Sequence, residues 1–190
     1  LPHEHKLVGG THGGLDDPHY RAMNPNGLVP TLVDGDLVLW ESHAILRYLA
    51  TRYGSDTLWR ENMRERAIVD QWTDWTATVF QPAWIAVFWL VVRTPRQQHD
   101  RKAIAAAHAR AVSALRILDM HLADRDYLAG NRLSYADLAA GVALYRWFTM
   151  ELDRPAMPGV ENWYRRLEQR PAFRDTVMVS YAELVGRLAF

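Results

Sequence analysis

The segment from Asn24 to Tyr53, NPNGLVPTLVDGDLVLWESHAILRYLATRY, constrains the fold more than any other part of this chain. It carries a turn, a proline opening a strand, a hairpin and a helix start in quick succession. Thr31-Leu32-Val33 and Asp36 to Trp40 are apolar, strand-forming runs. They flank Asp34-Gly35, a two-residue hairpin signal, because glycine tolerates positive φ. Ser42 to Arg52 then shows helical spacing at Ile45, Leu46 and Leu49. A proline opening a strand after a glycine-containing turn, Val29-Pro30, is a candidate for a cis bond, with a trans proline at a strand start as the alternative. A cis bend there would leave the main chain of Val29 facing outward at a strand edge, open to an extended peptide as an added strand.

Glu41-Ser42 sits at the junction between the second strand and the helix. Free N–H groups at a helix start favour an anion, and the serine hydroxyl adds a donor. A ligand carboxylate would bind Ser42 and a ligand ammonium Glu41. The competing reading is simple capping of the helix.

Strand signals end by residue 54, and nearly everything after Leu58 reads as helix. Gly54-Ser55-Asp56-Thr57 is therefore the expected linker between a domain at 1–54 and a helical domain at 58–190. Before the turn, Glu4 to Val8 reads as a short strand, Gly9 to Pro18 as a loop and Tyr20 to Met23 as a helical turn. In the second part, Ile68, Trp72, Trp75 and Val79 fall on one helical face, with a kink expected at Pro82. Ile104, His108, Ala111, Leu115, Leu118 and Leu122 form another stripe, on which His108 reads as a satisfied core residue. Leu133-Ser134-Tyr135-Ala136-Asp137-Leu138 reads as a capped helix start, with Ser134 as N-cap and Asp137 at the capping-box position. Val160, Trp163, Tyr164 and Leu167 mark a helix ending before Pro171, and Tyr181, Leu184, Val185 and Leu188 a short last one.

Composition narrows the function classes. The 22 basic and 22 acidic residues balance, which disfavours nucleic acid or an anionic membrane as partner. Cysteine is absent, which excludes disulfides, thiolate metal sites and a cysteine nucleophile from these residues and fits a reducing cytoplasm. The apolar run Ala83 to Val92 is shorter than the roughly 20 residues of a membrane span. His3, His5, His12 and His19 gather near the start without an i, i+4 helix pair, so no metal site is expected.

Taken together, Val29-Pro30 and Glu41-Ser42 resemble the second half of the glutathione-binding domain of the cytosolic glutathione S-transferases, in particular the bacterial theta-like branch. The resemblance extends to Leu128-Ala129-Gly130 with Leu133 to Asp137, to Trp163-Tyr164 through Arg170-Pro171-Ala172-Phe173, and to Arg93-Thr94-Pro95. It implies a thioredoxin-like α/β domain, incomplete at its start, followed by an all-helical domain. It further implies a homodimer that conjugates the glutathione thiolate to small electrophiles, with glutathione as cosubstrate. By the same resemblance Val29 pairs with the cysteinyl backbone of glutathione, Glu41 and Ser42 hold the γ-glutamyl end, and Asp137 is structural. Trp75, Trp84, Phe88 and Arg93 become candidates for the wall of the electrophile pocket, against core packing as the alternative.

The sequence also departs from the family pattern. No residue matches the thiol-activating position after the family's first strand, so the catalytic residue is expected upstream of Leu1, with about one strand and one helix of additional chain. Leu28 stands where members often carry a basic residue, leaving His12 as a candidate for the glycyl carboxylate. A non-catalytic interaction module, or a glutathione-dependent isomerase, reductase or dehalogenase, are the alternative readings.

Overall fold

In a computed structural model of the chain, residues 1–54 and 57–188 are described. Of the expected linker, Ser55 and Asp56 lie outside the described residues, as do the last two residues of the expected helical domain. Helix α1 (Pro18–Met23) starts on Asp17, whose carboxylate accepts the His19 N–H at 2.7 Å, with Pro18 in the first turn, where its missing N–H costs nothing. Strands β1 (Thr31–Asp34) and β2 (Leu37–Trp40) form an antiparallel hairpin in the register Thr31 to Trp40, Leu32 to Leu39, Val33 to Val38 and Asp34 to Leu37. That register moves the expected turn by one residue. Asp34 belongs to the ladder, and Gly35-Asp36 form the loop, with Gly35 in the first loop position at a φ of 63°. Helix α2 (Ser42–Tyr53) follows directly.

The strand expected at Glu4 to Val8 is not formed; those residues are irregular chain. A strand persists only in a ladder with a neighbour, and among the described residues β1 and β2 pair only with each other.

One continuous helical stretch runs from Met63 to Arg93. It comprises α3 (Met63–Trp75), a π turn at Thr76–Phe80, α4 (Gln81–Phe88) and a second π turn at Trp89–Arg93. The break expected at Pro82 takes the form of the first π turn, in which the Gln81 N–H reaches back to the Thr76 carbonyl. The buried stripe is Val69, Trp72, Thr73, Thr76 and Phe80, whereas Ile68 and Val79, expected on the inner face, are exposed. Periodicity gave the helix, but packing against neighbouring helices turned the buried face by one residue. By length and composition this stretch could cross a membrane, but its apolar side chains Val69, Trp72, Phe80, Trp84, Val87, Phe88 and Val92 fill the core.

Helix α5 (Arg101–His121), capped by Asp100, lays Ala107, Ala111, Ala114, Leu115 and Leu118 against that core. His108 is only half-buried; it stacks on Trp147 at 5.8 Å, and its Nε2 has no hydrogen-bond partner. It is therefore not the satisfied residue expected. Helices α6 (Tyr135–Gly141), α7 (Leu144–Thr149), α8 (Pro158–Glu168) and α9 (Pro171–Thr176) complete the bundle. Gly159 permits the close approach of α8 to α5, since a Cβ there would lie 2.5 Å from the Asp119 carbonyl oxygen. The expected last helix is reduced to a single 3-10 turn at Ala182–Leu184. Gly186, at a φ of 71°, leaves helical geometry directly after it.

Candidate functional site

The turn before β1 is organised by two buried side chains, Tyr20 of α1 and Asn24. The Tyr20 hydroxyl and the Asn24 amide both donate to the Leu28 carbonyl at 2.7 Å. The Asn24 side-chain oxygen in turn accepts from the Asn26 backbone N–H at 3.1 Å. These bonds fix the path of the chain into Val29-Pro30, whose peptide bond is cis. Val29 is exposed, and its main-chain N–H and C=O make no hydrogen bond with the described residues.

The hairpin register then decides what faces Val29. Because Thr31 pairs with Trp40, the residues just outside that pair, Val29-Pro30 on one side and Glu41-Ser42 on the other, lie at the same end of the hairpin. Both Glu41 and Ser42 are exposed. Glu41 precedes the helix at a φ of 72°, and it is the one non-glycine residue with positive φ among those described. Such backbone costs about 1–3 kcal/mol and persists where the surroundings enforce it. No side chain caps α2. Simple capping, the competing reading of this pair, is thus absent. The Glu41 carboxylate and Ser42 hydroxyl stay available, next to N–H groups of the first turn that have no acceptor within the helix.

Helix α2 is anchored on two sides. The Arg47 guanidinium reaches α3, with Nε 2.6 Å from Asp70 and a second nitrogen paired with Asp74. Tyr135 of α6 donates to the same Asp70 oxygen at 2.8 Å. Towards the hairpin, the Tyr48 and Tyr53 hydroxyls both donate to Asp34 at 2.7 Å, and these two bonds, Tyr53's first, hold the Asp34 carboxyl below its ordinary value. His43, in the first turn of α2, is half-buried, and burial followed by the nearby Arg47 charge lowers its pKa, so that it is neutral at pH 7.

Of the other candidates, His12 sits exposed in a 3-10 turn at Gly10–His12. Trp75 is half-buried, stacked on Phe80 at 6.0 Å and edge-on to Trp72 at 5.3 Å. Trp84 and Phe88 are buried core residues in mutual edge contact at 5.9 Å. Arg93 is buried, with Nε donating to the Arg187 carbonyl and its guanidinium 4.4 Å from the Trp89 ring. No three His, Asp or Glu residues gather as a metal site among the described residues.

Sequence reasoning passed over Tyr20, Asn24 and Arg47. The signal for Arg47 was present in the acid pair Asp70 and Asp74, four residues apart on one helical face.

A family profile described as the glutathione S-transferase N-terminal domain matches residues 1–52, and one described as the C-terminal domain of the same family matches residues 101–166. The Escherichia coli (strain K12) protein "Glutathione S-transferase GstB" is 38% identical over 181 residues, covering 94% of this chain and 87% of that protein. The chain belongs to the glutathione S-transferase family. The theta class glutathione S-transferase of Xanthomonas axonopodis pv. citri, solved with glutathione bound, superposes with a TM-score of 0.87 at 46% identity, covering 90% of this chain and 83% of that one. "Glutathione S-transferase F10" of Arabidopsis thaliana is 37% identical over 175 residues, covering 86% of this chain and 79% of that protein. As a glutathione S-transferase of the bacterial theta-like branch, this protein has the family's thioredoxin-like N-terminal domain, here with a two-stranded hairpin, and its helical C-terminal domain.

Proposed function

We propose that this transferase holds glutathione at the end of the hairpin, with the cysteinyl backbone paired to the Val29 main chain and the γ-glutamyl group on Glu41 and Ser42. The observation that carries the reading is the shared availability of these groups. Val29 has a main chain unpaired among the described residues, and Glu41 and Ser42, at the same hairpin end, do not cap α2. A γ-glutamyl carbon bears both an ammonium and a carboxylate, and a carboxylate beside a hydroxyl offers one partner to each. His12 is a candidate for the glycyl carboxylate.

In the reaction, the glutathione sulfur attacks an electrophilic carbon as thiolate. The protein's contribution is to fix the tripeptide, favour the thiolate over the thiol and place the electrophile beside the sulfur. The domain division at 1–54 and 58–190, a homodimeric assembly and a cytoplasmic setting belong to the same reading.

Isothermal calorimetry with glutathione tests the site. Ser42→Ala removes one charge-assisted hydrogen bond and should weaken binding by about 1.5–3 kcal/mol. Glu41→Gln should weaken it through loss of the ammonium partner. Unchanged affinity in both variants would move the site elsewhere.

A further inference from the structure

The two tyrosine bonds to Asp34 tie the hairpin to α2, and α2 carries Ser42 at its start with Glu41 just before it. Val29, Glu41 and Ser42 therefore belong to one body. That body meets the helical bundle along α2. Ala50 is part of the bundle's core, and Leu46 packs against it. Apolar contact of this kind is non-directional and leaves the angle of α2 open. A polar junction beside it supplies the direction. Arg47 Nε donates to Asp70 Oδ1 at 2.6 Å, and a second guanidinium nitrogen pairs with Asp74.

All three charged groups are partly exposed, and an exposed ion pair by itself orders little. Tyr135 changes that. Its hydroxyl donates to the same Asp70 oxygen at 2.8 Å, and the residue is only 1% exposed. The ring stacks on Trp59 at 6.3 Å. Tyr135 is the first residue of α6, directly after Ser134 of the capping box. Just before it, Arg60 donates to the Arg132 and Leu133 carbonyls at 3.0 Å each. The tyrosine is thus a fixed post on the helical domain, from which Asp70 is aimed at Arg47. Burial, and then the bond to Asp70, raise its pKa, so at neutral pH the hydroxyl keeps its proton and remains a donor.

We propose that Tyr135 is a positioning residue for conjugation: through Asp70 and Arg47 it sets how the hairpin and α2 face the helical domain, and so where the glutathione sulfur stands relative to the electrophile. The proposal rests on the transferase reading above, with glutathione held by the hairpin and α2 and the electrophile met from the helical side. Tyr135 touches neither reactant. Its role predicts a split between binding and reaction. Without the hydroxyl, Asp34 still ties the hairpin to α2, so Val29, Glu41 and Ser42 keep their arrangement and glutathione still binds. The alignment of the reacting atoms is what suffers, and small misplacements are costly to the rate.

Tyr135→Phe keeps the ring and removes the hydroxyl. The probe is chlorodinitrobenzene: the glutathione sulfur bonds to the chlorine-bearing carbon, chloride leaves with the bonding pair, and the thiol proton passes to solvent. In the full-length enzyme at saturating glutathione, kcat/KM for this probe should fall about fivefold or more, while the calorimetric Kd for glutathione stays within about twofold. Arg47→Ala cuts the same path at its other link. The double variant should therefore lose no more than the worse single one, a non-additivity that general loosening of the fold does not produce. Melting temperatures are followed in parallel, and the assays run well below the lowest of them. If Arg47→Ala does not fold, Asp70→Asn, which weakens both links, takes its place with the same expectation. An unchanged rate in Tyr135→Phe, glutathione affinity falling in step with the rate, or additive losses in the double variant overturn the assignment of Tyr135. A wild-type enzyme that does not bind glutathione, or whose affinity ignores both Ser42→Ala and Glu41→Gln, overturns the site reading instead.

Discussion

Asp34 illustrates how one residue can tie local elements together. It ends β1, and its carboxylate accepts from two tyrosines of α2, so the hairpin and the helix that carries Ser42 move as one. Because those bonds favour the ionised form, the folded chain binds this proton less tightly than the unfolded chain, whose ordinary value is 3.8. The stabilisation is therefore complete above the unfolded value and is lost as pH falls through the folded one. Melting temperatures of the wild type and Asp34→Asn should differ near neutrality and converge between about pH 5 and pH 2. A gap that stays constant across that range would remove the tyrosine bonds as its cause. Glu41 is the opposite kind of residue, held at positive φ with its side chain making no cap to α2. Under the proposed glutathione site, that strain would serve to present the carboxylate.

Among the elements, the start of α6 is the most tightly determined. The Asp137 carboxylate is fully buried, and burial pushes its pKa up while four donors pull it back. The donors are the Ser134 N–H and hydroxyl and the Leu128 N–H, each at 2.8 Å, and the Trp163 indole at 3.1 Å. One side chain thus caps α6, fixes the loop before it and anchors α8. Asp137→Ala would leave several buried donors without an acceptor, each worth about 1–3 kcal/mol, so a loss of about 3 kcal/mol or more is expected. Urea unfolding should show a lower midpoint at an unchanged slope; an unmoved midpoint would make the network dispensable. Helix α2 gains its position differently, from Arg47 reaching Asp70 and Asp74 on α3. That contact crosses from the hairpin region to the helical bundle and sets the angle at which the Ser42 end is presented.

At the scale of the whole molecule, apolar side chains remain uncovered in both halves. Val33, Val38 and Trp40 are exposed on the hairpin, and Met63, Ile68 and Val79 on the long helical stretch. Two such surfaces, one per half, suit a two-fold pairing in which the first domain of one subunit meets the helical domain of the other. Multi-angle light scattering at micromolar concentration should therefore give twice the mass of one chain. A monomer mass would leave those faces to another role.

Much of this was legible in the sequence, and the reason is locality. The hairpin, the Ser134-Asp137 capping box, the helix ending before Pro171 and the placing of Glu41-Ser42 at the strand–helix junction all depend on residues within a few positions of one another. Turn chemistry, capping and period operate at that range. Where the sequence reading failed, a distant partner decided. Glu4 to Val8 has strand-like residues but no neighbouring strand among the described residues. The long helix turned Ile68 and Val79 outward because α5 and α6 set which face is inside. Trp84 and Phe88 are buried in the core by the same packing. Composition also could not tell which of 22 basic side chains would be drawn into the fold. Arg60 becomes buried only when the Arg132 and Leu133 carbonyls, far along the chain, receive its guanidinium at 3.0 Å each, since burial belongs to the packed chain and not to any stretch of it.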